Sequence, residues 1–269
     1  MHNILKYPPQ FDLDRFQPRP TLLVGPTVQL EPLNPTHVEE LSLVAKEDTF
    51  FHLMYDGPTY FQWGLPTLVQ NLIAAQEEGT VLPFAVIHLP SKLAIGITRY
   101  LHIQPKHRRL EIATWFASDF HGTGVNTESK YLLLQHAFET LKYLRVDFKI
   151  DKRNTNSVRA VERIKAVFEG EIKKDCVLPD QWQRTSMQFR ICDDEWEGGI
   201  KSHILSLMDS YTKSAEEQKA VSDRIAKLYV FAEEVLKKRS EELDKLRTKI
   251  DAAIVANHGQ LAPQSPENA

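Results

Sequence analysis

Ser118–Leu141 reads SDFHGTGVNTESKYLLLQHAFETL, and the fold follows from how this stretch is read. It has the form of a strand end, a glycine loop and a helix. Gly122 and Gly124 clear side chains from the loop, and a helix starting near Val125–Thr127 points several unbonded backbone NH groups into that space, which makes an anion site. Upstream, Arg108–Phe116 (RRLEIATWF) alternates Leu110, Ile112, Thr114 and Phe116 with Glu111, Ala113 and Trp115, the period of a strand. Downstream, Tyr131, Leu134, Ala137, Phe138 and Leu141 give the helix an apolar face; a second strand follows at Arg145–Ile150, and Asn154-Thr155-Asn156-Ser157 opens another helix. Two close glycines alone mark an ordinary turn; the ordered context is what gives them weight.

Taken together, strand, HGTGVN, helix, strand, N-x-x-S and helix resemble the acetyl-CoA core of the GNAT N-acetyltransferases, most of all the RimJ/RimL (ribosomal-protein-alanine acetyltransferase) type. The resemblance runs from about Thr27 to Glu195 and includes LEIATWF, GTGVNTE, NTNSVRAVERI, FEGEIKKD and LPD. In the family's Gln/Arg-x-x-Gly-x-Gly/Ala motif this chain has His121 first, Gly124 fourth and Asn126 sixth, so both ends depart from the pattern. Lys165 is a further departure, in Glu162-Arg163-Ile164-Lys165-Ala166, where ERIGA is usual.

The resemblance implies an α/β (α+β) GNAT acyl-CoA N-acyltransferase fold: a mixed central sheet flanked by helices, with acetyl-CoA as cosubstrate. It places the coenzyme diphosphate on the amides of His121, Gly122, Thr123, Gly124, Val125, Asn126 and Thr127. It places the pantetheine arm on Asn154 and on the backbone from Ile112 to Phe116, including Thr114 and Trp115, where two central strands splay apart.

Acetylating an amine also requires a base for the amine proton and a proton for the departing thiolate. Glu111, opposite Leu110 and Ile112 on its strand, is the first candidate base; the alternative is an exposed strand carboxylate. Many relatives use a helix tyrosine as acid, but Ser157–Ile164 contains none, so Ser157 or Tyr100 would substitute. Ser157 equally suits a helix cap or a coenzyme contact. His121 either adds positive charge beside the phosphates or is a surface histidine. No His/Cys cluster has metal-ligand spacing, and neither G-x-S-x-G nor G-x-x-x-x-G-K-[ST] occurs.

The 269 residues suffice for one large domain with an appendage, and 42% hydrophobic content is that of a globular chain. A net charge of −3 argues against general nucleic-acid binding, and no apolar run reaches the roughly 18 residues of a membrane span. Cys176 and Cys192 are too few for a disulfide framework and suit a reducing cytoplasm.

The proline-rich residues 1–26 read as a surface arm, and 27–199 as the acetyltransferase domain. Within it, Thr27–Leu33 reads as the first strand and Asn34 caps a helix over His37–Ala45. Phe50–Trp63 is an aromatic segment, either packing beneath a loop or the wall of an acceptor pocket. Thr67–Glu78 reads as the second helix. A hairpin around Pro90-Ser91-Lys92 puts Thr98, Tyr100 and His102 on one face, and Phe168–Asp175 and Thr185–Ile191 are two further strands. Residues 200–257 carry no Pro or Gly and read as helix; Ile225, Tyr229, Ala232, Leu236, Arg239, Leu243, Leu246, Ile250 and Ala253 step by four and three. That seam implies either a coiled-coil homodimer or a helix folded back on its own domain, followed by a frayed tail at 258–269. The acceptor amine is not legible. Acetyl transfer to a protein N-terminus or a small-molecule amine is the leading expectation, and a non-catalytic coenzyme-binding module whose tail assembles partners is the alternative.

Overall fold

The computed structural model describes residues 13–45, 57–178 and 181–212, with single helical positions between 223 and 249. Its strands are β1 (Leu23–Val24), β2 (Val28–Pro32), β3 (Val81–His88), β4 (Leu93–Gln104), β5 (Arg109–Phe116), β6 (Arg145–Asp151), β7 (Val167–Val177) and β8 (Gln183–Cys192). They form one sheet in the order β1-β2-β3-β4-β5-β6-β8-β7. All neighbours are antiparallel except β5 and β6, because the chain between those two crosses over through a helix. The mixed sheet expected from the sequence is thus present. Most residues of β3 and β4 are buried, as in a sheet covered on both faces.

The helices are α1 (Val38–Val44), α2 (Gly57–Glu77), α3 (Val125–Gln135), α4 (Thr155–Arg163), the single turn α5 (Asp193–Glu195) and α6 (Lys201–Thr212). Asn34 caps the helical start before α1 by accepting from Thr36 N at 2.9 Å. Glu40 then fastens α1 to the sheet by accepting from Ala94 N at 2.7 Å. Gly64, at φ 79°, breaks α2 in two, and the second part covers the helix expected from Thr67. Of the aromatic segment, Phe50–Asp56 lies outside the described residues.

One expectation fails in β4. Thr98 and Tyr100 share a face, but the register slips between Leu101 and Gln104 and His102 takes φ 50°. This bulge turns the imidazole to Glu111, Nδ1 to Oε2 2.9 Å, on the other face.

Both ends of the expected domain are more integrated than the sequence suggested. In the N-terminal arm Phe16 is buried, Tyr143 donates to its carbonyl at 2.9 Å, and β1 extends the sheet. At the other end the chain does not leave the domain at Gly199. Trp196, 1% exposed, packs on Tyr131 and Phe138 and donates to Glu139 at 2.9 Å. Gly199, at φ 134°, then turns α6 so that it packs on α3. The compact unit runs to Arg224. The seam positions from Ile225 to Ala253 lie outside the described residues, as does the tail at 258–269. Among the described residues no helix is long and apolar enough to cross a membrane.

Candidate active site

The site begins where a ladder ends. β5 and β6 pair only through Arg109↔Arg145, Leu110↔Val146 and Glu111↔Asp147. Asp147, 3% exposed, locks this root: Arg109 donates to it at 3.1 Å, Arg145 at 2.8 Å and Gln188 at 2.9 Å. Past Glu111 the strands diverge, which leaves β5 backbone groups without a β6 partner; a buried backbone must find partners elsewhere. The resulting cleft is lined on one side by Ile112, Ala113 and Thr114, and on the other by Ile150, Asn154 and Ser157.

The cleft opens into a groove walled by Thr114, Phe116, His121, Gly122, Gly124, Asn126, Arg159, Arg163 and Tyr211. Thr114, Lys130 and Ser157 line both parts, so the two are one channel. At the groove's centre α3 starts on Gly124, whose φ of 86° a side chain would resist; the cap makes no side-chain hydrogen bond. The first intrahelical bond is Glu128 N to Gly124 O at 3.0 Å, so the amides of Val125, Asn126 and Thr127 have no partner within the helix. An anion is favoured there.

Of the residues expected to hold coenzyme, Ile112, Thr114, Phe116, His121, Gly122, Gly124, Asn126, Thr127, Asn154 and Ser157 line the channel. Trp115 and Val125 do not: both are 2% exposed, with side chains in the core; the Val125 amide stands at the helix start, whereas the Trp115 backbone is turned to β4, where it pairs with Ile97. Thr123 turns its hydroxyl to Phe120 O at 2.7 Å. His121 lies 3.2 Å from Phe116 O on an exposed loop.

The helix cap, one of the readings open for Ser157, belongs to Asn154, whose Oδ1 accepts from Ser157 N at 3.0 Å. Ser157 lines both parts of the channel, half-buried, without serving as the cap.

Tyr100 is not brought to the site. Its hydroxyl is buried behind β4, donates to Leu133 O at 2.6 Å and lies 3.2 Å from His136 Nδ1. Burial holds its proton far more tightly than an ordinary tyrosine's, the opposite of what a thiolate acid requires.

Glu111 is brought to the root of the cleft, and it is 5% exposed rather than a solvated strand carboxylate. Its hydrogen bond to His102 raises the imidazole above its usual range, although part burial opposes this. The His102 side chain is 59% exposed, so the pair links a buried carboxylate to solvent. Arg99 shares this end of the cleft.

Sequence reading missed His102, because the bulge that swings it round has no local signature. It also missed Lys130, which α3 carries into the channel one turn after Asn126, and Tyr211, which α6 brings back across a long separation. The period of α3 could have exposed Lys130, since it places that residue among buried positions.

A model of the acetyltransferase (GNAT) domain matches residues 27–167. YdaF of Bacillus subtilis (strain 168), which carries the name of a ribosomal N-acetyltransferase, is 28% identical over 103 residues, 38% of this chain and 56% of that protein. The chain thus aligns with little over half the length of that relative. A structure named as an acetyltransferase, from T. thermophilus, is 30% identical with TM-score 0.59, covering 71% of this chain and 98% of that one. RimJ of Mycobacterium smegmatis, solved in complex with CoA-disulfide, shares the fold at TM-score 0.60 and 20% identity, over 70% of this chain and 95% of that one. The diverging strands, the glycine-opened helix start and the family match agree, and the chain belongs to the GNAT acetyltransferase family, whose members are acetyl-CoA-dependent acyltransferases.

Proposed function

We propose that the chain transfers the acetyl group of acetyl-CoA to a primary amine, with the Glu111–His102 pair taking the amine proton. The observation that carries this is the position of Glu111: it is the last β5 residue paired with β6, so it stands at the root of the cleft in which β5 backbone is exposed. The free amides at the start of α3 fit a diphosphate, and the gap from Ile112 to Phe116 fits an amide-bearing arm; acetyl-CoA supplies the activated thioester there. Backbone NH groups of β5 polarise the thioester carbonyl. The amine proton passes to the pair and rests on His102, with the buried Glu111 carboxylate stabilising the imidazolium at 2.9 Å. The proton leaves through the exposed face of the ring, and Ser157, which lines both parts of the channel, would supply the proton for the departing thiolate.

Among amines, the name carried by YdaF favours a protein N-terminus as acceptor, in a reducing cytoplasm that suits the two free cysteines. The step pattern from Ile225 to Ala253 supports pairing of that segment with a second copy. Light scattering of the full chain against a Leu236→Lys, Leu243→Lys variant tests this, a monomeric wild type opposing it.

The activity test is steady-state acetylation of an amine and N-terminal peptide panel with Glu111→Gln and His102→Gln. Each is expected to lower kcat by roughly 10²–10⁴-fold with coenzyme affinity little changed. No transfer to any amine would remove the enzymatic reading in favour of a coenzyme-binding module, and full activity in Glu111→Gln would remove the assigned base.

A further inference from the structure

Lys130 is a cation in an unusual place. It is 6% exposed, on the buried side of α3, and it lines both parts of the channel. Its Nζ donates to Asn126 Oδ1, one helical turn back and beside the free amides of the helix start. Among the described residues it has no ion pair with a carboxylate. A buried ammonium with no counter-charge is costly, and burial pushes its pKa down to about 7.

The surrounding charges do not repair this. The two carboxylates lining the channel are already engaged, Glu111 with His102 and Asp151 with Arg153 at 2.9 Å. Arg99, Lys149 and Arg184 at the cleft end, and Arg159 and Arg163 on α4, oppose another positive charge. His121 and Tyr211 stand at the outer end, where Arg163 donates to the Tyr211 hydroxyl at 2.6 Å. Among the described residues none supplies a counter-charge to the charged form, and the neighbouring helix start is where a ligand's anion would sit.

We propose that Lys130 is the charge that holds the coenzyme diphosphate from inside the channel, and that it takes up a proton as the coenzyme binds. This rests on the acetyl-CoA reading above. In the free protein the side chain is divided between neutral and charged forms near neutral pH. A diphosphate within reach favours the charged form, so binding draws a proton from solvent and weakens as pH rises above 7.

The test is calorimetric titration of the full chain with acetyl-CoA at pH 8, in two phosphate-free buffers of different ionisation enthalpy, repeated with 3′-dephospho-CoA. The wild type is expected to take up close to one proton per site with both ligands, since both keep the diphosphate. Lys130→Met, an apolar replacement suited to a buried position, should bind roughly tenfold to hundredfold more weakly and take up no proton. Lys130→Arg keeps a permanent charge; it should bind far better than Lys130→Met and also take up no proton. Equal proton uptake in wild type and Lys130→Met would overturn the proposal while leaving coenzyme binding in place. The absence of binding heat in all three proteins would instead overturn the coenzyme reading itself.

Discussion

A methyl group at Gly124 tests whether the helix start is held open by the absence of a side chain and by Tyr211 together. A Cβ there would stand 2.9 Å from Tyr211 Cγ and 3.1 Å from Cδ2, closer than carbon atoms pack. It would also have to accept φ 86°, which costs an L-residue roughly 1–2 kcal/mol. The overlap adds roughly 1–3 kcal/mol, because relieving it moves a ring anchored to Arg163 through its hydroxyl at 2.6 Å. Gly124→Ala is therefore expected to lose roughly 2–5 kcal/mol of stability in urea denaturation. In a Tyr211→Ala background the ring is gone, the Cβ of residue 211 stays 3.2 Å from the new methyl, and little beyond the backbone cost of roughly 1–2 kcal/mol persists. The double-mutant cycle should thus show a coupling of roughly 1–3 kcal/mol. Coenzyme affinity should fall in Gly124→Ala and partly recover in the double variant. A coupling of zero would refute the placement of Tyr211 against the loop, and with it the packing of α6 on the site.

Glu128 is 4% exposed and accepts from Thr27 N at 2.8 Å, Val28 N at 2.9 Å and the Thr27 hydroxyl. Glu128→Ala orphans two backbone NH groups and should lower stability by roughly 2–5 kcal/mol in urea melts; a loss under about 1 kcal/mol would refute the clamp. Burial lowers His88 and His136 from 6.5 to about 4, so between those values the unfolded chain binds more protons than the folded one. Stability is expected to be complete above about pH 6.5 and to fall as pH drops toward 4, with a His88→Gln, His136→Gln variant showing a flatter profile. Lys165 ends α4 at φ 62°, the conformation glycine prefers there. Lys165→Gly should raise stability by up to about 1 kcal/mol in thermal melts, and a lower Tm would show that the lysine makes a compensating contact.

The elements that build the site were readable in the sequence because their signals are local. The glycine pair, the alternation of LEIATWF and the capping asparagine each act within a few residues, and the helix start, β5 and α4 lie where those signals put them. Even Lys165, where the resemblance favours glycine, marks a position whose left-handed backbone explains the preference. What these residues could not reveal was partnership between distant segments. Whether Glu111 is solvated or buried depends on the packing of the whole sheet, and whether His102 meets it depends on a one-step slip in a strand register. Tyr100 and Ser157 looked equally able to donate a proton. Burial took the Tyr100 hydroxyl out of reach, while Asn154 assumed the cap and Ser157 lines the channel. The sequence alone determined the order of elements and the chemistry of the loop, through short-range backbone preferences; which side chains share one channel was decided by tertiary packing, because burial and counter-charge are properties of the assembled sheet and helices.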